Sequence, residues 1–133
     1  MDEAVVSNPA NSSNRHIITQ EQIDDILANE LQAFTFPVKP VYNPRIKDNG
    51  RTIAEMYKWG QLKRIVSIDI GKQDEPDREF LVDTLLHEFY EVEILEKQYI
   101  DDYYRALSRT DSKRHAWIND KISRFFKRLE GQP

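Results

Sequence analysis

The amino-acid sequence predicts an α+β domain: an N-terminal helix, a small antiparallel sheet of two or three strands, a long helix and a C-terminal helix. Three observations predict it. A capping box at Thr19 opens an apolar helical stripe, two alternating segments flank Trp59-Gly60-Gln61, and helical pattern runs without Gly or Pro from Asp77 past Glu96.

The stretch from Met1 to about Asn14 is rich in Asn, Ser and Ala and has no apolar period. It reads as a disordered leader covering residues 1–16, with one domain over residues 17–130. Thr19 can accept from the Gln22 amide while Gln22 reaches back, the reciprocal pairing of a capping box. Behind it Ile23, Ile26, Leu27, Leu31 and Phe34 fall on one stripe, so a first helix is expected from about Thr19 to Phe34.

Pro37, Pro40 and Pro44 forbid helix over the next segment, and Val38 to Ile46 offers a third strand. Asp48-Asn49-Gly50 is a turn signal. Arg51 to Tyr57 then alternates, with Ile53, Glu55 and Tyr57 opposed to Thr52, Ala54 and Met56. In the partner segment Leu62, Val66, Ile68 and Ile70 share a face against Lys63, Ile65, Ser67 and Asp69. Two such runs about a Gly turn make an antiparallel hairpin. Beyond the long helix, Ser108, Thr110 or Asp111 can cap a last one, in which Ile118, Ile122, Phe125 and Leu129 form the buried stripe.

Composition narrows the chemistry. With 39% hydrophobic and 32% charged residues in 133, the chain suits a polar globular domain. No apolar run approaches the ~20 residues that span a bilayer, and no secretory h-region is visible, so a cytoplasmic location is expected. A net charge of −4 supplies no global attraction to nucleic acid or anionic membrane. There is no cysteine, which leaves His, Asp and Glu as metal ligands.

The most informative segment is Thr84-Leu85-Leu86-His87-Glu88-Phe89-Tyr90-Glu91. Helix positions i and i+4 lie on one face, so His87 and Glu91 can direct an imidazole nitrogen and a carboxylate oxygen at one cation. Glu88, about 100° around the helix, can contact a metal-bound water instead. This is the geometry that the HExxH motif exploits, with the intervening Glu as general base. Of three histidines, His16 lies in the leader and His115 points to the inner side of the last helix. His87, Glu91 and His115 thus make a His₂Glu ligand set for one zinc ion, with a fourth position for water and Glu88 as its proton acceptor.

The hairpin, the run Asp83-Thr84-Leu85-Leu86-His87-Glu88 and a downstream His on a following helix resemble the SprT-like and related minimal zincins over roughly Tyr42 to Phe126. The resemblance implies a zincin fold, a bound zinc and hydrolysis of a peptide bond, with an extended substrate pairing along an exposed sheet edge. Such families carry a second His where this sequence has Glu91. Glu ligates zinc, but its charge makes a bound water less acidic. The zinc ribbon of some SprT-like proteins is missing, as no cysteine exists to build it.

Other side chains have plainer alternatives. Glu91 also fits an acidic exposed run with Glu93 and Glu96, and Asp83 is either an acceptor for His87 or a solvated residue. Tyr99, Tyr103 and Tyr104 are packing residues or oxyanion donors. Lys113, Arg114, Lys121, Arg124, Lys127 and Arg128 give the last helix a basic face, which needs only solvent but could touch phosphates. Three functions compete: a zinc peptidase acting on a peptide or protein, a non-catalytic adaptor that keeps the fold and binds a protein partner, and a nucleic-acid-binding module using the last helix.

Overall fold

A computed structural model describes residues 2–131, which form four strands and four helices. In chain order they are β1 (Asp2–Asn8), α1 (Gln20–Ala28), β2 (Pro40–Tyr42), β3 (Gly50–Met56), β4 (Leu62–Ile70), α2 (Arg78–Lys97), α3 (Asp102–Ser108) and α4 (Asp111–Leu129). The fold is α+β, with one mixed sheet of four strands in the order β1-β3-β4-β2. β1 and β4 both run antiparallel to β3, while β2 runs parallel to β4.

The expected leader is the first correction. Residues 2–8 are an edge strand, paired with β3 from Asp2↔Met56 to Asn8↔Gly50; Met1 lies outside the described residues. Its sequence lacks an apolar period because pairing to β3, rather than burial, orders it. Val5 is 52% exposed, and only Ala4 and Val6 rest against the core. The segment that follows is clamped by side chains far along the chain. Asp74 accepts hydrogen bonds from the amides of Asn11 (2.9 Å) and Ser12 (3.1 Å) and from Asn49 Nδ2 (2.9 Å). Asn49 Oδ1 accepts in return from the Asp74 amide at 3.0 Å. Burial works to raise the Asp74 pKa, but the bonds from Asn11, Asn49 and Ser12 outweigh it and leave it lowered.

Asp74→Ala is therefore expected to destabilise the chain by about 1–3 kcal/mol, because it orphans three donors at once. A lowered folded pKa contributes stability above the unfolded value, near 3.8, that is lost as pH falls through the folded one. Urea titrations should show the full deficit at neutral pH and little of it in strong acid. An equal deficit at both pH values would contradict the clamp.

The Thr19 capping box forms as expected: Thr19 Oγ1 accepts from the Gln22 amide at 3.1 Å, and Gln22 Oε1 from the Thr19 amide at 2.8 Å. α1 stops at Ala28, earlier than the stripe suggests. Asn29 donates its side-chain Nδ2 to the Asp25 carbonyl at 2.8 Å, closing the last turn. Leu31 and Phe34 stay on the buried side beyond the helix, Phe34 edge-on to Phe89 at 4.9 Å.

The hairpin also forms, with Gly60 at φ 95° in its turn, where a side chain would be strained. Its faces need correcting. β4 carries two irregularities against β3: Ile53 pairs Ser67 while Ala54 pairs Ile65, and Glu55 pairs Arg64 while Met56 pairs Leu62. Val66 and Lys63 are the extra residues. Each such bulge shifts the side-chain phase. Ile65 consequently joins Ile68 and Ile70 in the core beneath Thr52, Ala54 and Met56, and Val66 is turned out at 37% exposure.

α2 is packed between the sheet, α3 and α4, and buried residues recur all round it from Leu81 to Leu95. It ends at Lys97; Asp101 Oδ1 then caps α3 by accepting from the Tyr103 amide at 2.9 Å. On α4 the stripe of Ile118, Ile122 and Phe125 is buried as expected, but Leu129 is 54% exposed. No helix among the described residues is long and apolar enough to cross a membrane.

Candidate metal centre

His87 and Glu91 stand one turn apart on α2 because helical residues i and i+4 overlie one another. α4 crosses α2 with Ile118 and Ile122 facing in, and the same inward face carries His115 against them. The three expected ligands are thereby brought together. Glu91 Oε1 lies 3.3 Å from His87 Nε2 and 3.9 Å from His115 Nε2, and one donor atom from each residue falls within 4.8 Å of the others. The two imidazole centroids are 5.3 Å apart, tilted at 49°.

His87 Nε2, His115 Nε2 and Glu91 Oε2 are buried and have no hydrogen-bond partner. Buried polar atoms in folded proteins are almost always paired, and His87, Glu91 and His115 are a group that could hold a metal ion. A ligating imidazole is neutral, and the His115 pKa is lowered, the direction that favours that form. Burial lowers it first, then the neighbouring His87 and Arg114, against the opposing pull of Glu91 and Asp111.

Arg114 was not legible as part of this site. Its Nε donates to Glu91 Oε1 at 3.2 Å and its Nη2 pairs with Asp111 Oδ1 at 2.9 Å, with only 12% of the side chain exposed. It belongs to the centre, not to a solvated basic face. The one available signal was its place beside His115, three residues after Asp111. The oxygen Arg114 holds, Oε1, is the one that lies near both imidazoles, while Oε2 is buried without a partner.

Glu88 goes elsewhere. Its side chain turns to β3, where Oε1 accepts from Thr52 Oγ1 at 3.0 Å and Oε2 is buried without a partner. Gly50 makes the room: a Cβ there would lie 2.9 Å from Glu88 Oε2. Glu88 is fully buried, and its pKa is raised well above 4.5, by burial first and then by the Glu91 charge, with Thr52 opposing.

A cavity of about 370 Å³ opens beside the triad, lined by His87, His115, Asp83, Phe80 and asparagine side chains, but by neither Glu88 nor Glu91. Asp83 makes no hydrogen bond to His87; it faces this cavity, its pKa raised by burial first, with His87 lowering it and Glu79 raising it. Tyr99, Tyr103 and Tyr104 do not line it; Tyr104 donates to Glu93 Oε2 at 2.9 Å and packs on Trp117. Both flanks of β3 are taken, by β1 and β4, so an added strand could pair only with β1 or β2. Comparison of the chain with protein-family models, curated proteins and solved structures returns no match.

Proposed function

We propose that this chain is a zinc-dependent hydrolase of the minimal zincin kind, acting on an acyl bond such as a peptide bond. The single observation that carries the reading is the convergence of His87, Glu91 and His115 from two helices, with donor atoms within 4.8 Å of one another and both imidazole Nε2 atoms buried without a hydrogen-bond partner. All three are borderline or hard ligands of the type that zinc takes, and the set matches His₂Glu catalytic sites in kind. Zinc held there supplies a Lewis acid that polarises a carbonyl and acidifies water.

The chain's own groups do the rest. Arg114 fixes the Glu91 carboxylate through Oε1, so that the ligand oxygen costs little to orient. Thr52 holds Glu88 through Oε1 and Oε2 has no partner; its place next to His87 on α2 makes Glu88 the candidate base, although it does not line the cavity. Burial favours the protonated form once Glu88 has accepted a proton, as a general base requires. The cavity beside His87 and His115 receives the substrate.

The second reading is an adaptor whose metal centre is structural, favoured by the absence of Glu88 from the cavity wall. Incubating the zinc-loaded chain with a quenched-fluorescent peptide library separates the two. The hydrolase reading expects cleavage that a chelator stops, zinc restores and His115→Ala lacks. A fully zinc-loaded chain that cleaves nothing in the library supports the adaptor instead.

A further inference from the structure

Resting on the metal reading, we propose that the cavity beside the triad takes a ligand bearing an amino group, with Asp83 as its counter-ion. Asp83 stands four residues before His87 on α2, so both side chains leave the same helix face about 6 Å apart along the axis. Both line the cavity. A ligand whose carbonyl oxygen reaches the metal can therefore present an amino group on the adjacent carbon to the Asp83 carboxylate.

The charge of the wall selects the ligand. No Lys or Arg lines the cavity, and Asp83 is its one acidic group. Other sheltered carboxylates have partners: Asp69 has Arg51 at 2.9 Å, Asp74 has three donors and Glu91 has Arg114. No hydrogen bond or ion pair to the Asp83 carboxylate is made among the described residues. An anionic ligand would meet this carboxylate as a like charge, and a neutral apolar one would strip its water without replacement. A protonated amine supplies the missing charge-assisted hydrogen bond.

The remaining wall is amide. Asn49 is spent on Asp74 and the Pro9 carbonyl, whereas Asn8, Asn11 and Asn119 keep side-chain amides that can donate or accept. Such groups suit a small polar acyl compound, and about 370 Å³ restricts its size.

The test measures binding, not turnover. Zinc content is determined first, and the zinc-loaded chain is then titrated calorimetrically with glycine hydroxamate, neutral acetohydroxamate and anionic succinic monohydroxamate. Glycine hydroxamate is expected to bind about tenfold tighter than acetohydroxamate, as one charge-assisted bond implies, and the anionic compound weakest. Asp83→Asn, and Asp83→Ala as a second variant, should bring the first two within about twofold of each other while zinc content and acetohydroxamate affinity hold. Equal affinities in the unaltered chain, a preference that survives both variants, or a zinc-loaded chain that binds no hydroxamate overturns the amino-group assignment and leaves the metal centre standing. A chain that takes up no zinc overturns both.

Discussion

One equivalent of zinc is expected to raise the melting temperature of the metal-free chain by about 10–20 °C. A ligand that binds only the folded state stabilises it by about 4 kcal/mol at a thousandfold excess over its dissociation constant, and a domain of this size gains a few degrees per kcal/mol. The gain should be large because the metal-free chain holds three buried donors with nothing to bond. His87→Ala, Glu91→Ala and His115→Ala should each remove the shift, while Arg114→Ala weakens zinc binding by about 10–100-fold without moving a ligand. Calorimetric scans with and without zinc, paired with metal analysis, decide the matter. An unchanged melting temperature and substoichiometric metal would show that the cluster is not a cation site.

Glu88→Gln should do two opposite things: abolish hydrolysis in the zinc-loaded chain and stabilise the metal-free one. In the metal-free chain Glu88 is fully buried, near Glu91, with Oε2 unpartnered and its pKa raised. A carboxyl whose folded pKa lies above its unfolded value, near 4.5, contributes stability that is full below that value and lost as pH rises through the folded one. Gln keeps the acceptor for Thr52 and carries no charge. Its advantage over Glu should be about 1–3 kcal/mol near neutral pH and vanish in mild acid. Such a pairing of lost activity with gained stability is the usual signature of a functional group held against its own preference. Parallel stability–pH curves for the two chains would show that Glu88 is not held that way, and retained hydrolysis would reject it as the base.

How far the residue order reveals this arrangement differs from feature to feature. The Thr19 cap, the hairpin about Gly60 and the α4 stripe of Ile118, Ile122 and Phe125 were legible because each is written within a few neighbouring residues. So was the His87–Glu91 pair, since one helical turn suffices to align it. His115 was legible as a partner by elimination among three histidines and by its place on the inward stripe, three residues before Ile118. β1 was not legible at all: its register partners lie some fifty positions away, and its own residues need no apolar pattern to pair.

The orientation of Glu88 marks the same boundary within the site. An angle of about 100° from His87 follows from helix geometry alone, but it does not say what the side chain meets. Thr52 and the space left by Gly50 decide that, and both come from β3. Arg114 is similar, a basic residue among others until α4 lays it against Glu91. Periodicity, capping and the facing of two ligands on one helix are thus local matters, governed by backbone sterics and hydrogen bonds spanning about four residues. Strand recruitment, the phase shifts at Val66 and Lys63, and the partners of Glu88 and Glu91 required the folded chain, because they depend on contacts between segments that local forces leave independent.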